Sequence, residues 1–209
     1  MIKRLMYLEP FQRRRQALAL LTFLAIVLTA SVPIFTRSKS IAAESGSKKD
    51  VAASRAAFLE VYKVLMSPRC MNCHPNGDRP LQGEDSHVHM MNVKRGDTGT
   101  GKYALKCGNC HQDKNLAGLN MPPGNPNWHL PPAKTRMVFQ GKSPHELALQ
   151  LVDPKQNGGK SMGQLREHAH DGLVMWGWNP GDGRTKPPLS HDEFERQWQI
   201  WVDNGAAAP

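Results

Sequence analysis

The sequence predicts a mainly α-helical fold with extensive irregular loops and little or no sheet. Glycine supplies 18 and proline 16 of the 209 positions, so much of the backbone should form loops and turns. Helix-start signals and apolar side chains at helical spacing lie on both sides of the loop-rich middle of the chain. Hydrophobic residues make up only 39% of the chain, so a bound apolar group should help to stabilise the fold.

The N-terminus has the features of a targeting segment. A basic stretch at 3–15 precedes an apolar run at 17–35, which is as long as a membrane span requires. We therefore predict a signal peptide or an uncleaved membrane anchor over residues 1–43, a linker over 44–50 and a single domain over 51–209. The positive-inside rule directs that domain across the membrane. The expected location is periplasmic, either soluble after signal cleavage or anchored to the inner membrane.

The net charge of +9 belongs mostly to the N-terminal segment. Residues 1–43 hold seven Lys or Arg and one Glu, whereas residues 44–209 hold 20 basic and 17 acidic side chains. This near balance gives no support to nucleic-acid binding by the domain.

A first helix is predicted over residues 51–66, just before a cysteine motif. Its apolar side chains recur at i, i+3, i+4 and i+7 and should pack together on one face. These side chains are Phe58, Val61, Tyr62 and Leu65. Turn signals dominate from residue 75 to 142, so irregular chain is expected there.

Three capping boxes predict the C-terminal helices. The box at 143–146 has proline at the first helical position and opens a helix that ends near residue 153. The box at 161–164 opens a helix that extends to about residue 176. The box at 190–193 opens the last helix, and an Asn-Gly pair at 204–205 ends it.

Two CxxCH motifs, at residues 70–74 and 107–111, contain all four cysteines of the chain. In such a motif the two thiols add across the vinyl groups of one haem, and the histidine that follows becomes the proximal ligand of the iron. The sequence therefore predicts two covalently bound haem c groups. The predicted attachment residues are Cys70, Cys73, Cys107 and Cys110, and the predicted proximal iron ligands are His74 and His111.

The short distance between the motifs favours one shared fold. Cys70 and Cys107 are 37 residues apart, which leaves too little chain for two tandem one-haem domains. We therefore expect a compact dihaem cytochrome c fold over residues 51–209, with the two irons close together.

Two other uses of paired cysteines were weighed. A zinc site built from both pairs would have a shorter separation than the 33 residues between Cys73 and Cys107, and histidine would not be required after each pair. A redox dithiol of the thioredoxin type would be accompanied by βαβ units, which the sequence pattern lacks. Both alternatives fit the sequence less well than haem attachment does.

Each iron also needs a sixth ligand unless its site is open. His89 lies between the motifs, in the loop region expected to wrap a haem. Met137 and His129 lie in or just after a proline-rich loop. We rank these candidates in the order His89, Met137, His129. Met ligation would raise the reduction potential relative to two histidines. The remaining histidine candidates are His87, His168 and His170. Weaker candidates are Met90, Met91, Met121, Met162 and Met175, since a lone methionine more often serves packing.

Further motif-like segments lie along residues 70–209. They include Cys70-Met71-Asn72-Cys73-His74-Pro75, His89, Asn92-Val93-Lys94-Arg95-Gly96, Trp128-His129-Leu130-Pro131-Pro132, Met137, Gly141-Lys142-Ser143, Asp153-Pro154, Asn157-Gly158-Gly159 and Val174-Met175-Trp176-Gly177-Trp178-Asn179-Pro180-Gly181. Together with the second CxxCH motif, they resemble the small dihaem cytochromes found beside, or fused to, periplasmic molybdenum hydroxylases of the isoquinoline 1-oxidoreductase type. Cysteines often occur in that family where this chain has Ala148 and Ala208, so a disulfide would be missing here and the C-terminus should be looser.

The resemblance implies electron transfer rather than enzymatic activity, either alone or as a subunit of an oxidoreductase complex. Electrons would come from a molybdenum hydroxylase-type donor and pass toward the respiratory chain. His89 and Met137 fall at positions of the family motifs, which favours both as ligands. A different class of function stays open, namely a haem enzyme or gas sensor with one open-coordinate iron.

Overall fold

Residues 49–209 are described by a computed structural model, in which they belong to one unit of the chain. The predicted signal peptide or anchor at 1–43 lies outside the described residues, as does most of the predicted linker. None of the helices formed by residues 49–209 has the length and hydropathy that a membrane span requires.

The described part of the chain consists mostly of helices and loops. Its α-helices are α1 (Val51–Leu65), α2 (Pro68–Met71), α3 (Pro144–Val152), α4 (Met162–His168), α5 (Gly172–Trp176) and α6 (His191–Asp203). Its strands form two antiparallel pairs, β1 (Leu81–Gln82) with β2 (His87–Val88) and β3 (Gly101–Lys102) with β4 (Leu105–Lys106). Short 3₁₀ turns lie at Met90–Asn92, Cys107–Asn109 and Ala133–Thr135. The prediction of a mainly α fold with extensive loops and little sheet is confirmed for residues 49–209.

The core is centred on α1 and α6. The rings of Phe58 and Trp201 are fully buried, and their centroids lie 4.7 Å apart. The buried hydroxyl of Ser54 donates to the Trp201 carbonyl at 2.9 Å and accepts from the Ala207 N–H at 3.0 Å. One side chain thus joins the start of α1, the end of α6 and the C-terminal tail. The predicted apolar face of the first helix is buried at Phe58, Val61 and Leu65.

The C-terminal tail is fastened by hydrogen bonds. Arg55 Nε donates to the Ala208 carbonyl at 2.9 Å, and His145 Nδ1 bonds to the Pro209 carbonyl at 2.8 Å. Ala148 is fully buried, and Ala208 packs against the same core cluster. These contacts hold the tail in place although the chain has no cysteine pair there.

The helix predicted from residue 161 to about 176 is two helices. α4 ends at His168, and α5 begins at Gly172 after Asp171 at its N-cap position. Aspartate and glycine have low helix propensity, and aspartate favours a position just before a helix. The Asp171 carboxylate hydrogen-bonds to Nδ1 of His168 across this break. The prediction of one continuous helix was wrong because it overlooked this local stop signal.

Two of the three predicted capping boxes form completely. The boxes at 143–146 and 161–164 have both of their reciprocal hydrogen bonds. At the start of α6, Ser190 accepts from the Glu193 N–H. The Glu193 carboxylate, however, pairs with Arg196 and does not return to the N-cap residue.

Candidate functional site

The first CxxCH motif follows α1 almost directly. Pro68 at the first position of α2 starts a short helical turn. The turn continues beyond α2, where the Cys73 N–H donates to the Cys70 carbonyl at 3.2 Å and the His74 N–H donates to the Met71 carbonyl at 2.9 Å. This turn brings both thiols and the imidazole to the wall of one cavity.

The cavity has a volume of about 410 Å³, within the range of ligand pockets. The end of α1, the loop before α3 and helices α4 to α6 complete its walls. The large apolar side chains among the lining residues are Leu65, Met137, Phe139, Leu151, Leu165, Leu173, Trp176, Trp178, Phe194 and Trp198. A flat apolar group could be enclosed here against aromatic and aliphatic surfaces.

One ring nitrogen of His74 is hydrogen-bonded and the other is free. Its Nδ1 lies 2.6 Å from the Met137 carbonyl oxygen, and since a carbonyl only accepts, Nδ1 carries the proton. The ring stacks on Phe139 with centroids 3.8 Å apart and planes within 6°. Burial is the main cause that lowers the pKa of His74 to about 4. The imidazole is therefore neutral at physiological pH, with the Nε2 lone pair available to a metal ion.

The two thiols of the first motif are held in their neutral form. Burial raises the pKa of the Cys70 thiol to about 12 and that of the Cys73 thiol to about 11. A redox-active dithiol of the thioredoxin type depends on the opposite change, a lowered thiol pKa. The environment of this pair therefore argues against that alternative.

The second motif repeats the same histidine arrangement. Cys107 begins a 3₁₀ turn and is buried, whereas Cys110 is exposed. His111 Nδ1 lies 2.7 Å from the Pro123 carbonyl oxygen, which again leaves Nε2 free. The ring stacks on Trp128 with centroids 4.5 Å apart and planes within 9°. Burial lowers the pKa of His111, so this imidazole is also biased toward the neutral form.

His89 lies opposite His111. The two ring centroids are 6.3 Å apart, and the planes meet at 61°. The backbone of His89 is fixed on both sides, because its N–H donates to the Pro80 carbonyl at 2.9 Å and its carbonyl accepts from Arg79 Nη2 at 2.7 Å. Its Nδ1 lies 2.7 Å from the Met90 carbonyl, so the free nitrogen of this ring is also Nε2.

The two motifs are neighbours in space. The Cys107 thiol is close enough to Cys73 to contribute to the raised pKa of Cys73, after burial as the main cause. Trp128, which stacks on His111, meets Trp176 edge-on with centroids 4.8 Å apart. Since Trp176 lines the cavity of the first motif, a continuous aromatic contact joins the two sites.

Two donors on the cavity wall have no hydrogen-bond partner among residues 49–209. They are the indole N–H of Trp198 and the Nε–H of Arg69, both in buried residues. Leaving a buried donor unsatisfied costs ~1–3 kcal/mol. A haem carries two carboxylate groups that could accept from such donors, so this cavity fits a haem chemically as well as in its apolar walls.

The surroundings of the second motif also fit a flat apolar group. Several large apolar side chains in the flanking segments are exposed, and an apolar macrocycle seated there would cover such surfaces. They are Tyr103, Leu105, Leu116, Leu119 and Met121.

The other ligand candidates are spread over both sites. Met137 and His129 both line the first cavity. His129 Nδ1 lies 2.5 Å from the Asn127 carbonyl. His87 is exposed in β2 and bonds to Asp85 at 2.6 Å. The structure thus places two of the three ranked candidates at the first site and His89 at the second.

Two residues that matter here were given no role from the sequence. Phe139 stacks on His74, and Arg95 is fully buried between loops near Cys73. No local pattern marks these roles, because each depends on contacts between distant segments. Arg95 did lie in a motif-like segment, which was a usable signal.

Within residues 49–209 no three His, Cys, Asp or Glu side chains form a group able to hold a metal ion by themselves. A structural zinc site requires four such ligands, whereas a haem iron takes only its axial ligands from the protein.

In the comparisons with known proteins, no family model, no curated protein sequence and no solved structure matches this chain.

Proposed function

We propose that this chain is an exported dihaem c-type cytochrome that transfers electrons and does not itself act on a substrate. The observation that supports this most strongly is the repeated arrangement at the two CxxCH motifs. In each, the histidine has Nδ1 bonded to a backbone carbonyl and Nε2 free beside a pair of thiols. A carbonyl behind the ring is the usual support of a metal-binding histidine, because it fixes both the tautomer and the ring orientation.

In this proposal Cys70 and Cys73 hold one haem and Cys107 and Cys110 hold the other. When bound, each haem supplies a one-electron couple whose potential depends on its axial ligands and surroundings. The apolar wall of the cavity would enclose the first haem. Its two free donors, from Trp198 and Arg69, would hold the negatively charged edge of the macrocycle.

The direction of electron flow rests on the family resemblance. We propose a molybdenum hydroxylase-type dehydrogenase as the electron donor and the respiratory chain as the destination. Fast electron transfer between the two sites is favoured because the two motifs are neighbours. An aromatic contact also runs from His111 through Trp128 to Trp176.

The proposal is tested by counting covalent haems. The full chain is expressed in a host with c-type haem maturation, and haem per polypeptide is measured by the pyridine haemochrome spectrum and by intact mass. We expect two haems in the wild type, one in C70A/C73A and one in C107A/C110A. A colourless wild-type protein would refute the proposal. The same mass spectrum shows whether the N-terminal segment is cleaved.

A further inference from the structure

We propose that each iron lies between two histidines, with His89 opposite His111 and His168 opposite His74. This inference rests on the proposed function, because it concerns the ligands of the haems that the function requires. It concerns the second iron ligand at each site, across from the motif histidine, which the CxxCH motifs do not determine.

The pairing of His89 with His111 follows from their separation. Two imidazoles bound through Nε2 on opposite sides of one metal ion have ring centres roughly 6.3 Å apart, given metal–nitrogen bonds of ~2.0–2.1 Å. The observed distance between the two ring centroids is 6.3 Å. In both rings Nδ1 is engaged by a backbone carbonyl, so the nitrogen left for a metal is Nε2 in each.

His168 is our candidate for the corresponding place in the first site. It is the last residue of α4 and lines the same cavity as Cys70, Cys73 and His74. Its Nδ1 is bonded to the Asp171 carboxylate, so its free nitrogen is Nε2. A carboxylate behind a metal-binding imidazole orients the ring and strengthens it as a donor. The break between α4 and α5 thus creates the ligand and its support together.

The two ranked alternatives fit the opposite face less well. The backbone carbonyl of Met137 accepts a hydrogen bond from Nδ1 of His74, so the backbone of Met137 lies on the Nδ1 side of the proximal imidazole. His129 follows Trp128, which stacks on His111 at the second site. His129 still lines the first cavity, so it is the competitor that an experiment must separate from His168.

The first test uses full-length holo-protein carrying H168A, H89A, H129A or H170A. His170 is the matched control, because it lies two residues beyond His168, is exposed and pairs with Glu195 at 3.0 Å. Oxidised proteins are examined by low-temperature electron paramagnetic resonance, and reduced proteins by carbon monoxide binding. We expect two low-spin haems that do not bind carbon monoxide rapidly in the wild type, H129A and H170A. H168A and H89A should each convert one of the two haems to a high-spin form that binds carbon monoxide.

A second variant keeps the test decisive if H168A loses a haem. H168M should retain two haems, show the thioether-to-iron absorption band and raise the reduction potential of one haem. Absence of that band, or the appearance of the open haem in H129A instead of H168A, would overturn the assignment at His74. A wild type without covalent haem would overturn the proposed function itself, whereas two haems with other ligands would overturn only this inference.

Discussion

Replacing Arg95 by methionine should loosen the loops between the two motifs. Arg95 is fully buried, and its guanidinium reaches two separate loop segments. Nη1 donates to the Pro131 carbonyl at 2.6 Å, and Nη2 donates to the Gly77 carbonyl at 3.2 Å. Pro131 lines the cavity and Gly77 follows the first motif, so this side chain ties the cavity wall to the motif.

The magnitude follows from these two bonds and from the cost of the buried charge. Hydrogen bonds from a charged donor contribute ~1.5–3 kcal/mol each. Removing the charge relieves a desolvation penalty, which also lowers the pKa of Arg95, and this offsets part of the loss. We expect R95M to lower the free energy of unfolding by about 2–4 kcal/mol. For a domain of this size that corresponds to a decrease in Tm of roughly 4–16 °C.

The assay is thermal and urea unfolding of the holo-protein, followed by far-ultraviolet circular dichroism. R196M is the matched control, because Arg196 is exposed and solvent screens its pairing with Glu193, so its loss should leave the unfolding transition almost unchanged. R95K retains the charge with a single ammonium group and should fall between R95M and the wild type. An R95M protein within about 0.5 kcal/mol of the wild type, the usual range for a neutral surface change, would show that this guanidinium does not tie the loops together.

Other substitutions probe the core and the helix caps. S54A leaves the partly buried Ala207 N–H without its acceptor, whereas the Trp201 carbonyl keeps its bond from the Ala206 N–H. Urea unfolding should therefore show a loss of ~1–3 kcal/mol in the free energy of unfolding, and an unchanged midpoint would contradict this. E146Q should be less stable than the wild type at neutral pH but equally stable in acid. Hydrogen bonds from Ser143 lower the pKa of Glu146 below its ordinary 4.5, so its contribution is fully present above that pH and is lost as the pH falls through the lowered value. A stability difference between the two proteins that persists at the lowest pH would contradict this reasoning.

The local elements were largely predictable from the sequence. The capping boxes at 143–146 and 161–164 form as predicted, and the loop-rich character of residues 75–142 is confirmed, because caps and turns depend on residues close together in the chain. The break at Asp171 is also a local signal, which the prediction of one continuous helix overlooked.

The placement of the ligand candidates could not be predicted in the same way. Sequence position left His89, Met137 and His129 as ranked alternatives without assigning any of them to a particular motif. Their rings and carbonyls are brought to one site or the other by loops with little periodicity, whose paths depend on contacts such as those of Arg79 with His89. The carbonyl of Met137 behind His74 illustrates this, since 63 residues separate the two partners.

The sequence by itself therefore determined where the two CxxCH motifs lie and which four cysteines and two histidines are the candidates for haem attachment. It did so because that chemistry needs thiols and an imidazole at fixed, short spacing. Only the tertiary structure decided what supports each motif histidine, that the ring of His89 lies near the ring of His111 and that the two motifs are neighbours. Those relations join residues far apart in the chain, and they are set by how α1 packs on α6 and how the loops fold over that core.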